Sequence, residues 1–357
     1  MLPYYALVAV PIFVSFIQSV RREKNKGKYD YLPIIVFFVI YFILLALRHK
    51  SIGSDTSGYL NVFSRLSNYS FKELLGYKET EYGYTFFNKF VSFFTDNKQV
   101  FTAIVAAISV FPIMILYKKE SESPLISISL FLIFPVFIMN FSGFRQAIAI
   151  ALGVPAFYAA KNKKIWHFLF IVLLAFSFHQ SALILFLMYP LYHANIRPKH
   201  LLLLIPALIL TYFNVGRIFN YVLPFLGEKY SESYSEIGDT GSYGMIFLLG
   251  LFVLFSFLMA NESTLDGETK GMRNILVFTL FIQLFTSISA ITMRMNYYYL
   301  IFIPILVSRV ANQTTKVDGR AKQIMKFCIV AFFIVYYLNK AHKVDSLNIY
   351  PYIPFWK

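Results

Sequence analysis

FIMNFSGFRQAIAIALGVPAFY, residues 137–158, carries a single charged side chain, Arg145, in an otherwise apolar run. A guanidinium near the centre of a hydrophobic span costs roughly 2.5–3.5 kcal/mol on insertion scales. It cannot shed that charge, because the pKa of Arg stays above about 12. Arg145 is therefore expected to face a wet cavity that holds an anion or an acidic partner. The run SISAITMRMNYYYLIF, residues 287–302, repeats the situation with Arg294. LLAFSFHQSALILF, residues 173–186, gives a milder version with His179.

The surrounding chain explains why such charges are costly. It is 58% hydrophobic and 14% charged, with mean hydropathy +0.60, where a soluble domain is about 25% charged. The composition predicts an all-α polytopic membrane protein, with residues 1–357 forming a single integral membrane domain. No basic segment precedes the first apolar stretch, so no cleavable signal peptide is expected. The one cysteine, Cys328, lies in an apolar stretch and is expected to serve packing. A net charge of +15 raises nucleic acid as a partner, but loops biased by the positive-inside rule and anionic lipid explain it better. No nucleic-acid partner is expected.

Apolar stretches predict about twelve transmembrane helices: Leu2–Val20, Leu32–Leu47, Gln99–Tyr117, Leu125–Asn140, Gln146–Ala160, Ile165–Phe178, Ala182–Tyr192, Leu201–Phe213, Gly244–Ala260, Ile275–Ile291, Tyr297–Val310 and Ile324–Leu338. Several are shorter than the roughly 20 residues of a straight crossing. One set of alternate loops holds 19 of the 33 Lys and Arg, Arg273 and Arg309 among them. This set is expected to be cytoplasmic. Arg48, Asp55, Arg145, His179 and Arg294 then all fall at the external ends of their stretches, which implies one externally open site. Two external loops, about 48–98 and 214–243, are large. The first holds Phe86, Phe87, Phe90, Val91 and Phe94 at helical spacing, an amphipathic helix suited to a membrane surface. The second, with Tyr221, Tyr230, Tyr234, Glu228, Glu232, Glu236 and Asp239, suits a lid or a sugar-contacting loop. No phosphate-binding or dinucleotide fingerprint occurs.

Arg48, Arg145 and Arg294 supply three guanidinium forks, which grip phosphate oxygens in pairs. The bland alternative for each is pairing with a helix terminus or reaching toward lipid headgroups. Asp55 follows a flexible turn and is a candidate base, with turn capping as its alternative. His179 titrates near neutrality and is the other candidate base; its alternative is a helix–helix hydrogen bond. Glu81 is expected to position a sugar or to cap a helix. Tyr297, Tyr298 and Tyr299 read as interface anchors. Glu79 and Glu81 form a weak metal signal without a His or further acid nearby, so neither a metal nor a cofactor is expected.

LRHKSIGSDTSGYLNVF (47–63) resembles the R-x-x-x-x-G-x-D-x-x-x-Y signature of the EpsG family of polysaccharide polymerases. EYGYTFFNKF (81–90) resembles its E-x-G-Y segment, FSGFRQAIAIAL (141–152) its R-Q-x-x-A element, and FSFHQSALI (176–184) its H-x-S-A-L element. The resemblance covers residues 40–195 well. On it, Arg48, Gly53, Asp55, Tyr59, Glu81, Gly83, Tyr84, Arg145, Gln146 and His179 fall on matching positions; Arg294 rests on the physical argument alone. The family is similar to Wzy-type O-antigen polymerases of the broad GT-C class of glycosyltransferases.

The resemblance implies a multi-pass enzyme of the bacterial cytoplasmic (inner) membrane, its active site facing the periplasm or exterior. Donor and acceptor are expected to be undecaprenyl-diphosphate-linked oligosaccharides, with His179, Asp55 and Arg145 catalytic. Arg48, Arg294, Glu81, Tyr59, Tyr84 and Gln146 would bind substrate. Membrane lipid and a chain-length regulator protein are the expected partners. An O-antigen ligase is the nearest rival. A lipid-linked oligosaccharide flippase is another, but it should carry charges along both halves of its path. An acyltransferase would want an acidic residue beside its histidine deep in the membrane, and His179 has none in sequence.

Overall fold

The computed structural model describes residues 1–21, 31–222, 243–287, 290–340 and 347–357. Its helices, in chain order, are α1 Leu2–Arg21, α2 Leu32–Ala46, α3 Thr56–Ser67, α4 Phe71–Gly76, α5 Tyr82–Ser92, α6 Lys98–Glu120, α7 Pro124–Ile133, α8 Pro135–Met139, α9 Phe144–Lys161, α10 Ile165–Phe178, α11 Met188–His193, α12 Leu201–Val222, α13 Tyr243–Leu258, α14 Gly267–Phe285, α15 Ala290–Leu300, α16 Ile303–Gln313 and α17 Gly319–Lys340. A 3-10 segment, Gln180–Leu187, joins α10 to α11. Among the described residues, four helical stretches are long and apolar enough to cross a membrane: Leu2–Val20, Lys98–Glu120, Pro198–Tyr221 and Gly319–Lys340. Leu32–Ala46, Pro124–Ile133, Ile165–Phe178 and Tyr243–Leu258 are apolar but shorter. This is the architecture of an all-α polytopic membrane protein.

Several of the twelve apolar stretches are broken, each for a local reason. Leu125–Asn140 parts at Phe134, whose backbone is extended (φ −78°, ψ 145°), as the residue before a proline prefers. Ala182–Tyr192 is half 3-10 and half α-helix. Tyr297–Val310 divides just before Pro304, which opens α16. In the other direction, α12 runs to Val222 and makes Tyr221 helical. Tyr230, Tyr234, Glu228, Glu232, Glu236 and Asp239 lie outside the described residues.

α6 packs between α2 and α9, and α9 packs on α10. The buried side of α9 holds Ala147, Ala149, Ala151, Gly153, Ala156 and Ala160. Such small residues let helix backbones approach closely where apolar burial alone gives no drive. Beside them, Phe38, Tyr117 and Phe131 pack edge to face or tilted, Phe38 and Tyr117 with centroids 5.2 Å apart. The tyrosines read as interface anchors do something else. Tyr298 and Tyr299 are fully buried, and the Tyr298 hydroxyl lies 3.1 Å from Ser181 Oγ. Cys328 is exposed on α17 and does not pack inward.

Two amphipathic helices, α3 and α5, cover one end of this bundle. They bury Leu60, Phe63, Tyr84 and Val91 against Phe101, Val105, Phe144 and Ile148 of α6 and α9. Phe86, Phe90, Phe93 and Phe94 remain exposed. The apolar stripe read from spacing is thus two faces: Phe87 and Val91 turn inward with Tyr84, and Phe86, Phe90 and Phe94 turn outward. The segment 347–355 lies across the same end. His49 N–H donates to Ile353 O (2.8 Å), Phe355 N–H to Leu47 O (2.9 Å) and Gly53 N–H to Asn348 O (3.3 Å). The Tyr4 hydroxyl donates to Ile349 O.

The other end of the bundle is held by charge. Arg309 of α16 reaches Glu120 (3.2 Å), Asp266 (3.1 Å) and Glu268 (3.2 Å). Lys161, at the far end of α9 from Arg145, reaches Glu120 (3.0 Å) and Glu268 (2.6 Å). Arg273 is fully buried, paired with Glu262 and lying over the Phe257 ring at 4.0 Å. Arg273 and Arg309, counted among loop cations in the sequence, are therefore buried fasteners between helices. Removing one partner of a buried ion pair strands the others, at about 3–5 kcal/mol. Arg309→Ala is expected to lower the thermal unfolding midpoint sharply in detergent. Arg65→Ala, at an exposed pair with Glu79, should leave it nearly unchanged.

Candidate active site

Arg145 is the second residue of α9, after Gly143 at the helix N-cap. Its charge is met by Glu81, whose carboxylate accepts from Nη1. Its Nε donates to the Tyr59 hydroxyl at 3.4 Å, and its guanidinium sits 5.7 Å from the Tyr59 ring centroid. Tyr59 in turn stacks on Phe144, with centroids 5.0 Å apart and planes at 10°.

Glu81 has a second partner. Its Oε1 lies 3.3 Å from His179 Nδ1, a close contact short of a completed hydrogen bond for that buried nitrogen. The same Oε1 accepts the Gln180 backbone N–H at 3.3 Å. Glu81 heads α5 by position but makes no side-chain cap; its carboxylate is spent on α9 and on the end of α10. Burial pushes that carboxyl up, yet the neighbouring His179 and the Arg145 charge outweigh it and hold the pKa at about 2. Glu81 is therefore ionised throughout the physiological range.

Gly83 decides whether Glu81 can reach. A Cβ there would lie 2.2 Å from Ser177 Oγ and 2.7 Å from the Ser177 carbonyl oxygen, so α5 touches the backbone of α10 two residues before His179. Gly53 does similar work in the preceding turn. It holds φ +87°, and a Cβ would lie 1.9 Å from Phe141 O. That contact fixes the chain between Arg48 and Asp55 against the loop that leads into α9.

Gln146 donates from Nε2 to the Arg294 carbonyl at 2.7 Å, tying α9 to α15. Arg294 is itself exposed, and its charge acts on His179. Arg145, Glu81, Tyr59, Gln146, His179 and Arg294 thus gather at one end of the bundle. Tyr84 lies beneath them, fully buried and edge-on to Tyr59 at 5.7 Å.

Two expected members stand apart. Arg48 is buried, gives one N–H to Leu45 O and lies 5.0 Å over the Phe144 ring; it touches the cluster only through that ring. Asp55 is exposed at the N-cap of α3 without a side-chain cap bond, and its backbone N–H donates to Ser142 Oγ at 3.1 Å. Glu79 and Glu81 also part company, Glu79 pairing with Arg65 and the Tyr77 hydroxyl. Among the described residues, no group of three or more His, Cys, Asp or Glu could hold a metal. A recess of about 580 Å³ lined by Lys161, His193, Glu268 and Lys270 lies at the opposite end, away from this cluster.

The sequence model of the EpsG family matches residues 31–353, nearly the whole chain. The chain belongs to the EpsG family. That is a family of Wzy-type polysaccharide polymerases. No curated protein and no solved structure matches. The EpsG match runs well beyond residue 195 and takes in Arg294. Three residues of the EYGY segment now have distinct physical work: Glu81 answers the Arg145 charge and lies beside His179, Gly83 permits the approach, and Tyr84 fills the space under Tyr59.

The close approach at Gly83 is testable. Gly83→Ala must displace backbone as well as a side chain, and overpacking of this kind costs about 1–3 kcal/mol. Its unfolding midpoint in detergent is expected to fall. Gly76→Ala, with nothing within 4 Å of its Cβ, is the control and should melt like the parent.

Proposed function

We propose that this EpsG-family chain polymerises lipid-linked oligosaccharide repeat units at the end of the bundle that carries Arg145, Glu81, His179 and Arg294. The observation that supports this reading best is their convergence from four separate stretches. Arg145 and Arg294 would hold the diphosphate of an undecaprenyl-diphosphate-linked donor. Arg145 stands in the first turn of an 18-residue helix, whose N-terminus adds partial positive charge for the same anion. As the glycosyl–oxygen bond breaks, charge gathers on the leaving diphosphate, and preplaced donors stabilise it. The acceptor hydroxyl must lose a proton, and His179 is the base we assign. Asp55 is the alternative; its open position at the N-cap of α3 suits acceptor binding equally well. In this reading the fold is GT-C-like, the enzyme needs no divalent cation, and Arg48 supports the site through Phe144 rather than touching the diphosphate.

The site would face the outside of the cytoplasmic membrane. Lys118, Lys119, Lys161, Lys163, Lys164, Arg197 and Lys199 all sit at the other end, as positive-inside loops would. In a Cys328→Ser background, a cysteine at Ser57 is expected to react with an impermeant reagent applied to whole cells, and one at Asn162 only after lysis. The reverse pattern would remove the external polymerase.

Turnover supplies the second test. Purified protein given lipid-linked repeat units should build a ladder of products, and should still do so in EDTA. Arg145→Lys keeps the charge but loses the fork, and is expected to slow polymerisation by about 10²–10³-fold. His179→Ala is expected to bind donor but to lose about 10²–10⁴-fold in rate. A near-normal rate in His179→Ala, with loss in Asp55→Asn, would move the base to Asp55. Full activity in Arg145→Lys would remove the paired grip on the diphosphate and leave Arg145 a structural charge, whereas no ladder from any form of the protein would favour a flippase.

A further inference from the structure

Glu81 faces a conflict. One carboxylate serves two groups: Oε2 is engaged by Arg145 Nη1, while Oε1 lies near His179 without completing a hydrogen bond. His179 is buried, and its Nδ1 lies 3.3 Å from the carboxylate that Arg145 already holds, without a completed hydrogen bond. Arg145 gives Nε to the Tyr59 hydroxyl and Nη1 to Glu81, and its side chain is one quarter exposed, so part of the guanidinium can be reached by an incoming anion.

We propose that Glu81 is a positioning residue that exchanges partners with the substrate. In the structure it is held by Arg145. When a diphosphate takes the Arg145 fork, Glu81 turns to the Nδ1–H of His179 and fixes the tautomer whose Nε2 is the base. This rests on the polymerase reading, because it assumes that His179 acts on the acceptor hydroxyl. In the step itself, the hydroxyl proton passes to Nε2 and the hydroxyl oxygen bonds the anomeric carbon. The bond from that carbon to the diphosphate oxygen breaks, and its electron pair leaves with the diphosphate. The imidazolium that results is paired with Glu81, which stays ionised throughout.

Three physical points favour the exchange. A diphosphate carries more charge than a carboxylate and offers oxygens to both nitrogens of the fork, so it competes well for Arg145. Catalytic hydrogen bonds are often long or misaligned before substrate arrives and tighten in the complex. The third is the set of charges facing His179: Glu81 from the start of α5, Arg145 from α9 and Arg294 from α15. Burial disfavours the imidazolium most, Glu81 favours it, and the two arginines disfavour it further. Neutralising the arginines with an anion therefore makes His179 more basic when a base is needed.

The signs of the kinetic changes test this. Glu81→Gln frees Arg145 for the anion, so undecaprenyl diphosphate should bind more tightly, by roughly fivefold or more. The KM for lipid-linked donor should fall with it. Its kcat should drop by roughly 10²-fold, part of what a general base supplies, and the acid limb of its pH profile should move to lower pH. Glu81→Asp should recover part of kcat. A purely structural role would instead raise KM or leave both constants alone, and either result would overturn the exchange. A measurement on the unaltered protein covers the case in which Glu81→Gln does not fold. The pH dependence of carbethoxylation of His179, followed on its peptide by mass spectrometry, should shift to higher pH when inorganic pyrophosphate is added. No shift sinks the proposal. These binding and titration arms need no turnover, so an absent product ladder would count against polymerisation alone, whereas a normal ladder with unchanged Glu81→Gln constants would count against the exchange alone.

Discussion

Arg145 cannot give up its proton, so the fold must bring an opposite charge to it. That requirement organises one whole end of the molecule. The carboxylate comes from outside the apolar helices, at the head of α5, so α5 has to ride onto the bundle. It docks with Tyr84 and Val91 among the aromatics of α6 and α9. It comes close enough because residue 83 has no side chain. Tyr59 and Phe144 then form a stacked floor under the guanidinium. Each is a packing event in its own right, and together they leave a permanent cation and an ionised carboxylate in contact at a half-buried position.

α9 shows how the same physics is used differently at its two ends. Sixteen residues separate Arg145 from Lys161, about 24 Å of helix. Lys161 sits in a network where two cations, with Arg309, meet Glu120, Glu122, Asp266 and Glu268. Every cation there has several partners, and the network binds α6, α9, α14 and α16. At the Arg145 end one carboxylate must serve two groups, and one of those groups is left unsatisfied. Satisfied networks rigidify, and a buried polar group left without a partner calls for an explanation of its own. The contrast sets the fastening end against the end where the candidate site lies.

Much of this was legible in the sequence, for a physical reason. Hydropathy marks apolar helices, and a charge inside them is conspicuous, so Arg145, Arg294 and His179 stood out at once. The short motifs around Gly53, Glu81 and Gln146 also fell on residues that meet in space. What the sequence hid were the pairings. Glu81 and Arg145 are 64 residues apart, and Glu120 and Arg309 are 189 apart. No local pattern encodes a contact of that kind. Arg309 and Arg273 therefore looked like loop charges, Val91 looked like part of a lipid-facing stripe, and Arg48 looked equivalent to Arg145. Gly83 was visible as a letter of a motif, but its work depends on where the Ser177 backbone lies.

The segment 347–355 has a consequence for how the protein comes to be. Its backbone completes hydrogen bonds to His49, Leu47 and Gly53, partners nearly three hundred residues earlier in the chain. At about 5–20 residues per second of synthesis, those groups wait roughly 15–60 s for their mates. During that interval the turn that carries Asp55 and leads into α3 lacks its final support, although the helices around it have already been made. The first part of the candidate site to be synthesised is thus among the last to be finished, and a ribosome that stalls late leaves behind a bundle incomplete at that end.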